Sequence, residues 1–494
     1  MGGSKCCREI GRLGCCGLVL LAGTAFAASP ATQLELTSML GSGNLLAPGP
    51  GGRGDAAFGT APEPPPFERW VKGGDARAGR ARLELQIAEE GFLAHVETSA
   101  RLALDLNLDD VARGATLVLR DASSWVGISW RSFRDWELGL RAFPIDTSYR
   151  RLGYLHALDW GGTDVSRRES IFLEHEPGVP GLELAVAAPR ARLFMGLRWA
   201  RGAEGVAGIR PLWGATLGGA LELTRELQAD FGLGYFQRPA LTTDTGAETS
   251  FVEGASVRLV WKQGPVEPEL SLEPFRPASL RVQEQGFRTL EVRGFAVVVE
   301  GAMLATRLRQ FDAPGRMTLV AAPAAALYGS VRGEIVAAHA ALLGRSLAFV
   351  LRNEAGLLRG ESLPKSAQEL PELGVWLGAS ATAMPWRVTP GLELGVMTPA
   401  ALVTPSSLPG FRQTFVVREA QGVVALPVGS GRLPILAARA SLRFQASPST
   451  ALAFYVDYER DANRVRFHAT GVGAIRSFAD PDQLRAGLAI QTRF

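Results

Sequence analysis

The chain has 494 residues, 47% of them hydrophobic and 20% charged, with a formal net charge of +3 at pH 7. Beyond the N-terminus no segment offers the roughly 18 to 20 uncharged apolar residues that a membrane-crossing helix needs. The best inner stretches, GFAVVVEGAML and AAPAAALYGSV, are broken or bounded by Glu300, Pro323, Gly329 and Arg332. The sequence therefore does not read as a helical membrane protein, and the near-neutral charge gives no electrostatic basis for nucleic-acid binding.

At the N-terminus, Lys5, Arg8 and Arg12 precede an apolar run from Leu13 to Phe26, and Ala25-Phe26-Ala27 forms an A-x-A cleavage site. Residues 1–27 therefore read as a secretory signal peptide. Cys6, Cys7, Cys15 and Cys16, the four cysteines of the chain, all fall inside it. Cys15 and Cys16 precede most of the apolar run, which argues against a lipid anchor. The exported chain then contains no disulfide, thiolate metal site or cysteine nucleophile. Residues 28–66, as in LLAPGPGGRGDAAFGTAPEPPP, are dominated by Gly, Pro and Ala. With so little to bury, they are expected to form a disordered Pro/Gly-rich periplasmic leader.

From residue 67 to 494 the dominant pattern is alternation between turn residues. RLELQIAE sets Leu83, Leu85 and Ile87 against Arg82, Glu84 and Gln86, and ARLFMGLRWA sets Leu193, Met195, Leu197 and Trp199 against Arg192, Gly196 and Arg198. Period two marks strands with one apolar and one polar face. Two hairpins are legible, one turning near Arg225 and one turning at Ser447-Pro448-Ser449. The strands run about 9 to 12 residues, which matches the length needed to cross a bilayer at a tilt. Aromatics near strand ends, Trp136, Trp199, Tyr235, Trp261, Trp376 and Tyr458, sit where interfacial girdles belong. The pattern predicts an all-β, transmembrane, antiparallel up-and-down β-barrel of about 16 strands, within a range of 14 to 18. Segments 146–170 and 237–250 read as long loops.

Residues able to carry chemistry are few. His95, His156, His175, His339 and His468 are scattered, and none lies in an HExxH or Gly-x-Ser-x-Gly setting. Asp105, Asn107, Asp109 and Asp110 crowd together, yet EF-hand spacing and its closing Glu are absent. The sequence thus points to no catalytic residue, no metal and no cofactor. What remains is the polar face. Arg141, Arg198, Arg258, Arg439, Arg443 and Asp457 fall opposite the apolar stripe and are expected to line a pore, because an Arg facing lipid at mid-depth costs about 2 to 4 kcal/mol.

The final strand, LRAGLAIQTRF, places Leu484, Ala486, Leu488, Ile490, Thr492 and Phe494 on one face. An alternating strand ending in Phe resembles the terminal signal of Gram-negative outer-membrane β-barrels. That resemblance implies recognition of Phe494 by the barrel-assembly machinery. Within Ala115–Asp146, Arg120-Asp121-Ala122 followed by Phe143-Pro144 is similar to the strand, turn, strand layout of porins of the phosphate-selective type, although lysines are few here. Together these features imply a porin-like channel in the outer membrane of a Gram-negative bacterium, passing small hydrophilic solutes or ions. Such a channel contacts outer-membrane lipid and is compatible with a homo-oligomer. The alternatives are a closed structural or adhesive barrel acting through its extracellular loops, and a barrel enzyme acting on lipid.

Overall fold

A computed structural model of the chain describes residues 32–41, 57–59, 80–90, 95–107, 118–121, 124–131, 136–145, 180–203, 209–243, 246–264, 293–310, 313–346, 367–381, 387–406, 408–418, 422–447, 450–470 and 473–493. Every regular element among them is a strand. Eighteen of these strands form one antiparallel ladder: β1 (Thr32–Gly41), β2 (Arg80–Glu90), β3 (Val96–Asn107), β4 (Trp125–Arg131), β5 (Glu137–Phe143), β6 (Gly181–Ala188), β7 (Ala191–Ala203), β8 (Ile209–Glu222), β9 (Leu227–Thr243), β10 (Gly246–Gln263), β11 (Gly294–Gln310), β12 (Ala313–Arg332), β13 (Val336–Arg345), β14 (Glu372–Ala381), β15 (Val388–Thr398), β16 (Ile435–Ser447), β17 (Thr450–Asp461) and β18 (Asp482–Arg493). Each pairs with the next in chain order. β18 then returns to β1, with Glu35 opposite Arg493 and Gly41 opposite Gly487. The ladder therefore closes on itself, which satisfies the backbone of both terminal strands.

The ring has eighteen strands, the upper bound of the expected fourteen to eighteen, and one source of the excess over sixteen is the segment read as leader. Residues 32–41, TQLELTSMLG, form β1 between β2 and β18, and residues 57–59 pair with its end. Gly and Pro dominate the whole 28–66 window, so its composition hid a short alternating run inside it. The segment 237–250 is likewise not a loop. β9 and β10 continue through it, past a register shift between Arg238 and Leu241, as far as the pairing of Thr243 with Gly246. Residues 146–170 lie outside the described residues.

An even ring puts both chain ends at one end of the barrel. Most connections there are short: 91–95, 132–136, 189–190, 223–226, 333–335, 382–387 and 448–449, with 264–293 the exception. At the opposite end β7–β8, β9–β10 and β11–β12 are also joined by short spacings, whereas β1–β2, β3–β4, β5–β6, β13–β14, β15–β16 and β17–β18 are joined by long ones. Short periplasmic turns and long extracellular loops are the usual asymmetry of outer-membrane barrels, so the far end faces outward from the cell.

Aromatics form belts at both levels. Near the chain ends lie Trp130, Trp136, Phe444 and Trp261, the last edge-on to Phe295 at 4.8 Å. Toward the far end Trp199 stands opposite Trp213, Trp213 packs on Tyr235 at 5.4 Å and Tyr235 stacks on Phe251 at 4.7 Å. Trp376 belongs to neither belt. It lies mid-strand on β14, faces inward and is 2% exposed, because the register of β14 gives its outward positions to Leu373, Val375 and Leu377.

A small cap stands at the far end. Strands 368–370, 401–405, 412–418 and 422–425 make a four-stranded sheet whose core is Ala401, Val416, Val424, Leu426 and Val465, with Leu370 against it. Leu370 pairs with Ala401 and Leu373 with Thr398, so this sheet continues the β14–β15 ladder past a break at Pro371 and Pro399. Arg432 Nη1 donates to the carbonyls of both prolines, at 2.6 and 2.7 Å. Asn463 exchanges two hydrogen bonds with Leu433, at 2.7 and 2.8 Å, and is held by Asp461. Three far-end connections are thereby knitted into one unit. Gly410 and Gly429, at φ of 81° and 82°, form its turns, where a side chain would be strained.

Candidate functional site

The two faces of the ladder differ as the alternation predicts. Outward positions carry Leu184, Leu197, Leu259, Val299, Leu377 and Leu394, each more than 40% exposed. Inward positions carry Glu183, Arg198, Arg258, Glu300, Arg345 and Glu372, each less than 5% exposed. A protein surrounded by water does the reverse. An apolar exterior is stable only against hydrocarbon, and only a closed ladder leaves no unpaired backbone there.

Arg141, Arg198, Arg258, Arg439, Arg443 and Asp457 all take inward positions. The structure pairs Arg141, Arg258 and Arg439 with acids on neighbouring strands, Asp457 being one of those acids. Arg258 on β10 donates through Nε to Asp230 Oδ2 on β9 at 2.8 Å and through Nη2 to the same oxygen. Gln228 Nε2 donates to the other carboxylate oxygen at 2.7 Å. Glu300 on β11 stands opposite Arg258 on its other side. Arg439 on β16 makes a fork with Asp457 on β17, Nη2 to Oδ2 at 2.6 Å and Nε to Oδ1. It also lies over the Tyr455 ring at 4.9 Å. Arg141 Nη1 reaches Glu183 Oε1 at 3.5 Å, with its guanidinium 4.9 Å from the centre of the Trp125 ring.

Several inward residues are not evident from the sequence. Arg345 on β13 pairs with Glu372 on β14 at 2.9 Å. His339 Nε2 on β13 approaches Glu393 Oε1 on β15 at 3.8 Å, reaching past β14. Glu393, Arg439 and Asp457 stand directly opposite one another on three successive strands, so charge alternates along the row. Alternation alone could have put each of these on the polar face, but which residues meet depends on register.

Glycine accounts for part of the inward burial. A Cβ on Gly374 would lie 2.5 Å from Trp376 Cη2, and one on Gly378 would strike the His339 imidazole. One on Gly127 would meet Arg141 Cγ at 3.1 Å and Trp125 Cζ3 at 3.2 Å. Large inward side chains thus lie flat over glycines of the wall, tiling it. Val260, Val298, Tyr328, Ala341 and Trp376 form an apolar sector within this lining.

The residues that resemble phosphate-selective porins have local structural work. Asp121 Oδ1 accepts the Ser124 amide at 3.1 Å, and Phe143 packs on Trp125. Among the described residues no group of three or more His, Cys, Asp or Glu side chains is placed to hold a metal. Residues 1–27 and Phe494 lie outside the described residues.

Fold and lining together define a transmembrane β-barrel of the outer-membrane type, with lipid outside and a charged interior. No family model matches the sequence, and no curated sequence is significantly similar to it. The structure is similar to OccK3 (OpdO) of Pseudomonas aeruginosa, at 12% identity and a TM-score of 0.45 over 94% of this chain and 95% of that one. It is also similar to Pseudomonas aeruginosa OpdK with vanillate, at 11% and 0.43 over 94% and 98%. A third likeness is to an anion-selective porin from Comamonas acidovorans, at 11% and 0.39 over 94% and 98%. At these values the likenesses add nothing to what the strand ladder itself shows.

Proposed function

We propose that the protein is a porin-like channel for passive diffusion of small hydrophilic solutes or ions across the outer membrane. The supporting observation is the inward face itself: Arg258 with Asp230, Arg345 with Glu372 and Arg439 with Asp457 put charge along the wall of a barrel whose outside is apolar. A charged inward face of this kind suits a water-filled lumen. Arg141, Arg198, Arg258, Arg439, Arg443 and Asp457 are the pore-lining residues in this reading. The chain is exported through its first 27 residues and delivered to the barrel-assembly machinery through the strand that ends in Phe494.

The test is planar-bilayer recording on purified protein. Stable, linear single-channel conductance is the expected result.

A second reading, a closed barrel acting through its extracellular loops, draws support from the cap, whose Ala400, Ala401, Leu402, Val416 and Leu426 are fully buried. Protein that inserts as a folded barrel and never conducts would favour it. An enzyme acting on lipid fits less well. Ser330 stands opposite His339 on β12 and β13, but both face inward, away from any lipid substrate.

A further inference from the structure

Resting on the channel reading, we propose that the lining of this pore discriminates little between anions and cations, and that Glu183, Asp230, Glu372 and Asp457 are the residues responsible.

The argument starts from how the inward arginines are held. A lining selects anions when its cations face the passing ion without a fixed counter-charge. Here Arg141, Arg258, Arg345 and Arg439 each have a carboxylate within ion-pair reach on the adjacent strand. The pairs lie along the wall, between β5 and β6, β9 and β10, β13 and β14, and β16 and β17. They are local dipoles and do not cross the interior. In two of the four pairs, Arg258–Asp230 and Arg345–Glu372, both side chains are 5% exposed or less. A permeating ion therefore meets a nearly cancelled field, because the potential of an opposed pair falls off much faster than that of a single charge.

The neighbours keep these arginines from acting as free cations. Glu300 flanks Arg258 in register and Glu393 flanks Arg439, so acids bracket two of these arginines. The solutes expected to pass are salts of either sign and small neutral or zwitterionic molecules, within the limit of size.

The experiment is the reversal potential in a KCl gradient across a planar bilayer, converted to a chloride-to-potassium permeability ratio. For the unaltered protein the ratio should lie within about threefold of unity. Combining Asp230→Asn, Glu372→Gln and Asp457→Asn frees three arginines and should raise the ratio by about fivefold or more. A second variant, Arg258→Gln with Arg345→Gln and Arg439→Gln, should move the ratio the opposite way, and it keeps the test decisive if the first does not fold. A strong preference in the unaltered protein overturns the proposal, as does an unmoved ratio in folded, conducting variants. Absence of any conductance from inserted, folded protein overturns the channel reading itself and is recognised by the lack of current at every voltage.

Discussion

The imidazole of His339 occupies the space that a side chain at position 378 would fill, lying over Gly378 on its way to Glu393. Position 378 therefore has to be glycine for β13 and β15 to communicate past β14. Gly378→Ala should force the ring aside and destabilise the barrel by about 1 to 3 kcal/mol, the usual cost of overfilling a packed site. The comparison is Gly301→Ala, where nothing lies within 4 Å of the added carbon. Heat-modifiable gel mobility of both variants checks this: only the first should lose its folded band at a lower temperature.

Arg345 and Glu372 are a buried ion pair, with side chains 3% and 5% exposed. Glu372→Ala strands a cation in the wall and should cost about 3 to 5 kcal/mol. Replacing both partners, Arg345→Met with Glu372→Leu, should recover most of that loss. Urea unfolding in lipid vesicles measures the two, and a double variant as unstable as the single one would contradict the assignment.

Leu394 is 51% exposed on the outward face of β15. If that face meets hydrocarbon, Leu394→Arg should destabilise the inserted barrel by about 2 to 4 kcal/mol, while Leu394→Val changes little. Refolding titrations into vesicles give the difference directly.

Arg432 fastens the cap by donating to the Pro371 and Pro399 carbonyls. Arg432→Ala leaves both acceptors unmatched and should cost the cap about 1.5 to 3 kcal/mol, the worth of hydrogen bonds from a charged donor. Limited proteolysis is expected to cut within 399–434 in the variant while the ring keeps its folded mobility. Burial pulls the Arg432 guanidinium below its ordinary value. The loss of stability as pH falls through that value is confined to strongly alkaline solution, so the clasp should hold unchanged at neutral pH.

Much of this architecture is legible in alternation. The hairpin turning at 223–226 and the one turning at 448–449 are plain in the residues, since period two needs only nearest neighbours. The inward placement of Arg141, Arg258 and Arg439 follows from the same rule. Other features depend on partners far away in the chain. Trp376 looks like a girdle residue until the register of β14 turns it inward, and the approach of His339 to Glu393 requires three strands to be in step. β1 was obscured because one alternating decapeptide is outweighed by the Gly and Pro around it. The continuation of β9 beyond Arg238 was masked by Pro239 and by the bulge that accommodates the local irregularity.

The seam between β1 and β18 is, by its register, a ladder like the other seventeen. It places Glu35 beside Arg493, so the two ends of the ring are neighbours in space despite being farthest apart in sequence. Where a polypeptide begins and ends around such a ring is a matter of covalent bookkeeping. A circular permutant that joins residue 493 to residue 32 by a short linker and opens the chain at 448–449 retains every strand pairing and should fold to the same barrel.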